Sequence, residues 1–164
     1  MYSKIKMSKK RGFTLIELLV VMAIMGILVT IAMANYQTAQ IKARDARRKS
    51  DIGQVQKALE LYYNDYGKYP VSSAGKIKIG ADTYDWKTST ETGDELKDTN
   101  DTVYMKELVG DPAAANPNYC YRSTDGSYYQ IYAKLENVKD LAVGSYTCQA
   151  ISYNYGVASS NSAP

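Results

Sequence analysis

Residues 12–34 read GFTLIELLVVMAIMGILVTIAMA, and Glu17 is the only ionisable side chain among them. The 22 positions from Phe13 onward make roughly 33 Å of helix at 1.5 Å per residue, enough to cross the hydrocarbon core of a bilayer. A chain of 164 residues is one small domain by length, and this run belongs to no soluble core. Glu17 sets a physical problem, because an ionised carboxylate beside hydrocarbon is costly unless it is paired or neutral.

Upstream lies a short basic segment. Lys4, Lys6, Lys9, Lys10 and Arg11 fall in residues 1–12 with no acid among them. The whole chain carries a formal charge of +3, but without those residues it has 15 basic against 17 acidic side chains. Basic residues flank the apolar run on both sides, and the acid-free leader is the end expected to stay cytoplasmic. A secretory signal peptide is cut after its apolar stretch, behind small residues. Here the junction Lys10-Arg11-Gly12 comes before that stretch, so the apolar segment stays with the mature chain.

A basic leader ending in glycine and followed by Phe-Thr-Leu-Ile-Glu resembles the class III signal of type IV prepilins and type II secretion pseudopilins. The resemblance implies that a membrane-embedded aspartyl prepilin peptidase cuts between Gly12 and Phe13 and N-methylates Phe13. It also gives Glu17 a partner, the α-amine of Phe13 on a neighbouring subunit, so that cleavage switches assembly on. The implied protein is a structural filament subunit and not an enzyme. Its partners are identical subunits in a helical filament, prepilin peptidase, the pilus assembly platform with its ATPase machinery, and membrane lipid before assembly. Its location is single-pass in the cytoplasmic membrane with the head outside, then an extracellular or periplasmic filament. The alternative is a monomeric membrane-anchored extracytoplasmic binding protein.

Along residues 13–34, Ala23, Gly26, Thr30 and Ala34 recur at spacings of three and four, placing small residues on one helix face for close packing. In many pili the helix unwinds between a glycine and a later proline. Gly26 matches the glycine, but Ala34 stands at the proline position.

Residues 35–51 contain neither proline nor glycine and offer Asp45/Lys49 and Arg47/Asp51 as i,i+4 pairs, so the helix is predicted to continue. Ile52, Val55, Leu59, Tyr62 and Tyr66 then form an apolar stripe at helical spacing, with Gly53 a weak point. Gly67, followed by Pro70, is the stop signal. The prediction is one helix of about 50 residues, its half over 35–66 amphipathic. Lys42, Arg44, Arg47, Arg48 and Lys49, offset by Asp45 and Asp51, form a collar of +3, while residues 52–164 carry 10 basic and 14 acidic side chains. These opposite charges are expected either to attract across subunits or to face solvent and lipid headgroups.

The head is expected over residues 67–157, with a disordered tail at 158–164. Its Ser-, Thr-, Asp-, Lys- and Gly-rich part, residues 71–103, reads as a variable loop anchored by Tyr84 and Trp86, and 104–108 as a short helical turn. Strands are expected over 119–122, 128–135 and 146–155, with Tyr129, Ile131, Ala133 and Leu135 facing the helix stripe. The fold class is thus α+β: a long N-terminal helix packed on a small antiparallel sheet of about three strands, a pilin-like lollipop.

Cys120 and Cys148 lie in the part that would be exported, where oxidising conditions favour a bridge over two buried thiols. Closing that loop is worth roughly 3.5 kcal/mol in the chain-entropy model. The chain has no histidine, which removes Ser-His-Asp and Cys-His nucleophile pairs and the HExxH zinc motif. The S-x-x-K spacings Ser3/Lys6 and Ser73/Lys76 lack the companion motifs of a serine acyltransferase. Residues 108–112 and the strands beyond also resemble the heads of G-type pseudopilins, many of which bind calcium in a C-terminal loop. Those ligands do not match here residue by residue, and Asp125 and Asp140 lack EF-hand spacing, so no metal or cofactor is assigned. Sixteen tyrosines admit two readings, packing on a sheet and at subunit contacts or, less simply, base-stacking platforms for DNA. Asn100-Asp101-Thr102 matches a glycosylation sequon.

Overall fold

The computed structural model describes residues 12–88, 91–113 and 117–164, with side chains at all of these but 34 and 35. Of the basic leader, residues 1–12, all but Gly12 lie outside the described residues. The chain divides into two units, Met1–Ala39 and Gln40–Pro164. One helix, α1 (Leu15–Tyr66, 52 residues), runs from the first into the second. It stops where the sequence places a stop: Gly67 adopts φ 66°, and its N–H donates to the Tyr63 carbonyl at 2.7 Å. Only glycine takes this left-handed position without steric cost.

Among the described residues of the first unit α1 buries no side chain. Phe13 is 87% exposed, and every large apolar side chain from Leu15 to Met33 is likewise exposed. Ala23, Gly26 and Thr30 are exposed too, and the helix passes through 26–34 unbroken. The side chain of Ala34, expected on the same face, lies outside the described residues.

In the second unit the stripe faces inward. Ile52, Val55 and Leu59 are fully buried and Tyr62 nearly so, whereas Tyr66 at the end is partly exposed and donates its hydroxyl to Asp98 at 2.7 Å.

The segment expected to be a connecting loop, residues 71–103, instead pairs. β1 (Val71–Ser73), β2 (Lys76–Ile79) and β3 (Asp82–Tyr84) form an antiparallel sheet in that order. Lys76-Ile77-Lys78-Ile79 alternates with period two, turning Ile77 and Ile79 into the core. β4 (Leu96–Lys97) then pairs with β5 (Val103–Met105), so Tyr104 lies in a strand and not in a helical turn.

β6 (Cys120–Arg122) and β7 (Gln130–Ala133) lie where strands are expected. The third does not. Residues 146–155 split into a separate hairpin, β8 (Tyr146–Cys148) with β9 (Ile151–Tyr153), and the edge of the main sheet is β10 (Tyr155–Ala158), which pairs with β7. The hairpin reverses at Gln149 and Ala150, both at positive φ, without the glycine or asparagine that usually marks such a turn. Tyr129, Ile131, Ala133 and Leu135 are buried, as their alternation predicts.

Cys120 and Cys148 are bridged, tying β6 to β8 beside Tyr132, Tyr153 and the partly buried Tyr146. Gly75, at φ 80° between β1 and β2, lies so close that a Cβ there would sit 2.9 Å from the Cys120 sulfur. The stretch expected to be a disordered tail packs as well. Ser159 is buried, its N–H donates to the Tyr129 carbonyl, and Asn161 Nδ2 donates to the Ser127 carbonyl at 2.7 Å. Short polar side chains can close backbone groups in this way without an apolar core of their own.

Candidate assembly segment and charged clasp

At the start of α1, Thr14 and Glu17 cap the helix reciprocally. The Thr14 N–H and hydroxyl donate to Glu17 Oε2 at 3.1 and 3.0 Å, and the Glu17 N–H donates back to Thr14 Oγ1 at 3.3 Å. This is a capping box, which satisfies two of the free donors of a first turn and favours a carboxylate at the positive end of the helix. The sequence carries its signature, Thr-x-x-Glu, but the resemblance draws the eye to Glu17 alone. Thr14 is the functional residue that sequence reasoning missed. Further along, the Thr30 hydroxyl donates to the Ile27 carbonyl at 2.8 Å, which hides its polarity from an apolar environment. Nothing lies within 4 Å of where a Cβ on Gly26 would be, so that part of the helix surface is open.

The second unit holds a different arrangement. Arg48 is fully buried, and its guanidinium donates to Asp45 Oδ1 at 2.6 Å, to both oxygens of Asp111 at 2.7 and 2.8 Å, and to Glu136 Oε1 at 2.8 Å. Arg44 adds a second fork onto Glu136, with Nε to Oε1 at 2.8 Å and Nη2 to Oε2. Asp45 turns its oxygens to the backbone N–H groups of Glu136 and Asn137 at 2.9 and 2.8 Å. Lys49 reaches both oxygens of Asp140 at 2.8 Å. Two loops, one at Asp111 and one over 136–140, are thus fastened to adjacent turns of α1.

Burial works against a charged Arg48, yet the hydrogen bonds to Asp111 and Glu136 more than offset it and raise its pKa above the ordinary value. The Arg44 hydrogen bond, helped by Arg48, holds Glu136 down to about 2. Close by, burial pushes Asp51 up against the hydrogen bond it accepts from Tyr119 at 3.2 Å. Among the described residues every buried side-chain polar atom has a partner.

Within the single chain, Arg44, Arg48 and Lys49 of the collar meet acids of their own head, and Arg47 pairs with Asp51 at 3.8 Å. The expected Asp45/Lys49 pair does not form, because Asp45 turns to Arg48 and Lys49 to Asp140. No local signal marks these partners, which lie 63 and 88 residues from Arg48.

Several other candidates have local roles. Asp125 caps the turn at Ser127, and among the described residues no group of three or more His, Cys, Asp or Glu is placed to hold a metal ion. Among the described residues eight tyrosines are buried, and Tyr69 and Tyr129 share Glu60, so much of the tyrosine surface is spent on packing. Asn100 lies on the exposed turn between β4 and β5. Ser73 faces Lys76 across a hairpin, and Lys76 is paired with Asp85.

The profile of the prokaryotic N-terminal methylation motif matches residues 7–33. Type II secretion system core protein G of Vibrio cholerae is 31% identical over 107 residues, 65% of this chain and 68% of the relative. Its namesake in Aeromonas hydrophila is 32% identical over 108 residues, 65% of this chain and 71% of the relative. Type IV major pilin protein PilA of Myxococcus xanthus is 29% identical over 114 residues, 68% of this chain and 51% of the relative. No solved structure matches the chain significantly.

Proposed function

The chain belongs to the type IV pilin and type II secretion pseudopilin family, and from that premise we propose that it is inserted in the membrane by residues 13–34, cut between Gly12 and Phe13, and polymerised into a filament. The family is structural and not an enzyme family, in keeping with a chain that lacks histidine. The observation that carries the reading is an apolar helix half with no buried large side chain, long and apolar enough to cross a membrane. Such a surface needs lipid or other copies of itself as cover.

The chemistry centres on Glu17. In the single chain its carboxylate is met by the Thr14 cap, two neutral donors for a full charge. Prepilin peptidase would release an α-amine on Phe13, and that cation, N-methylated, would meet Glu17 of the next subunit. An ion pair inside an apolar bundle is strong because little water competes for it. Ala23, Gly26, Thr30 and Ala34 would let neighbouring helices approach closely. The assembly platform and its ATPase would draw subunits from lipid into an extracellular or periplasmic fibre.

Glu17→Ala and Glu17→Gln are expected to insert in the membrane normally and to form no filaments. Mass spectrometry of purified filaments is expected to find N-methyl-Phe13 at the mature N-terminus. Normal filaments from either variant would refute the pairing role, and an uncut, solitary native protein would favour the monomeric anchored binding protein instead.

A further inference from the structure

The loop over residues 136–145 is built inside out. Its acids point to α1, Glu136 to Arg44 and Arg48 and Asp140 to Lys49, while Val138 and Leu141 point to solvent. Val138 is 73% exposed and Leu141 fully so. The loop is also held firmly: Asp45 takes the N–H groups of Glu136 and Asn137, and Asp140 takes that of Ala142 at 2.9 Å. Because the loop is fixed, both aliphatic side chains are held outward, in position for a contact.

The same unit carries a matching hollow. A groove of about 910 Å³ runs along α1, lined by Gly53, Gln56, Lys57, Leu61, Tyr129 and Ala158. Leu61 is 58% exposed there, and nothing lies within 4 Å of where a Cβ on Gly53 would be. We propose that Val138 and Leu141 of one copy seat in this groove on a second copy. The inference rests on the filament reading given above.

Three observations select a second copy as the occupant. Two side chains bury far less than the roughly 1,200 Å² of a stable independent interface, so the contact suits partners already held together elsewhere. The charges around the loop, Arg44, Arg48, Lys49 and Lys139 against Asp45, Asp111, Glu136 and Asp140, sum to zero, which gives no net attraction to an anionic lipid surface. Knob and groove are different surfaces of one chain, so the contact is heterologous and repeats without closing, the geometry of an open fibre.

The test uses the full-length protein assembled into filaments. Cys120 and Cys148, the two cysteines of the chain, are bridged, so introduced cysteines are the free thiols. Filaments carrying Leu61→Cys with Leu141→Cys are expected to give a ladder of covalent multimers with a short bismaleimide, and either single variant none. Leu141→Asp should lower filament yield about tenfold and Leu141→Met should restore it, with the unfolding midpoint in detergent unchanged. Double-cysteine filaments without a ladder, or wild-type yield from Leu141→Asp, would overturn the proposal while leaving the filament reading intact. So would an environment-sensitive dye on Leu141→Cys reporting an apolar setting already in the unassembled, membrane-inserted protein, since lipid would then be the cover. A wild-type protein that never polymerises would overturn both.

Discussion

The two halves of α1 spend their side chains in opposite ways. Over residues 15–33 the helix leaves its large apolar groups outside, and over residues 44–52 it takes an arginine and two aspartates inside. The first half keeps its large apolar groups on the surface, and the second matches buried charges with one another. On the proposed filament reading, assembly and head stability rest on different residues of one helix, and the two properties should separate under mutation.

The largest effect expected on that separation comes from Arg48→Ala. It leaves Asp45, Asp111 and Glu136 sharing a buried site without their cation, which costs about 3–5 kcal/mol, and denaturant unfolding of the full chain in detergent measures it. Arg48→Lys should recover little, because one ammonium cannot fork onto several carboxylates. Membrane insertion should be untouched by either change, and an insertion defect would break the comparison.

Acid is expected to act next, again on the head alone. Glu136 lies below its ordinary value of 4.5 in the folded protein, so its stabilisation is complete above that value and disappears as pH falls toward about 2. Asp98, lowered by the hydrogen bond from Tyr66, acts with the same sign. Asp51 is raised by burial and acts with the opposite sign, favouring the fold once protonated. Unfolding midpoints across this window should fall with acid, and Glu136→Gln should flatten the slope.

The smallest expected effect tests the other half. Thr14→Val removes one side of the capping box and should destabilise the first turn of α1 by about 1 kcal/mol, visible as faster amide exchange at residues 15–18. The unfolding midpoint of the head should not change.

Legibility in the sequence followed the range of the forces involved. The stop of α1 and its buried stripe come from local chemistry, namely a left-handed Gly67 and a 3.6-residue period, and both could be read directly. Lys76-Ile77-Lys78-Ile79 was just as periodic, but four residues among Ser, Thr and Gly gave too short a signal against the composition of a loop. The reversal at Gln149 and Ala150 had no glycine to announce it, so two strands read as one. Thr-x-x-Glu was visible and was overshadowed by the glutamate's family role. The partners of Arg48 were out of reach, because only the closed head brings residues 111 and 136 to position 48.

The bridge between Cys120 and Cys148 spans the exposed loop at 138–145. A protease that nicked this loop would separate nothing, since the chain on either side of the cut would remain joined through sulfur. The damage would appear on a gel only after a thiol reductant had been added, and a fibre built from such subunits could go on carrying broken heads.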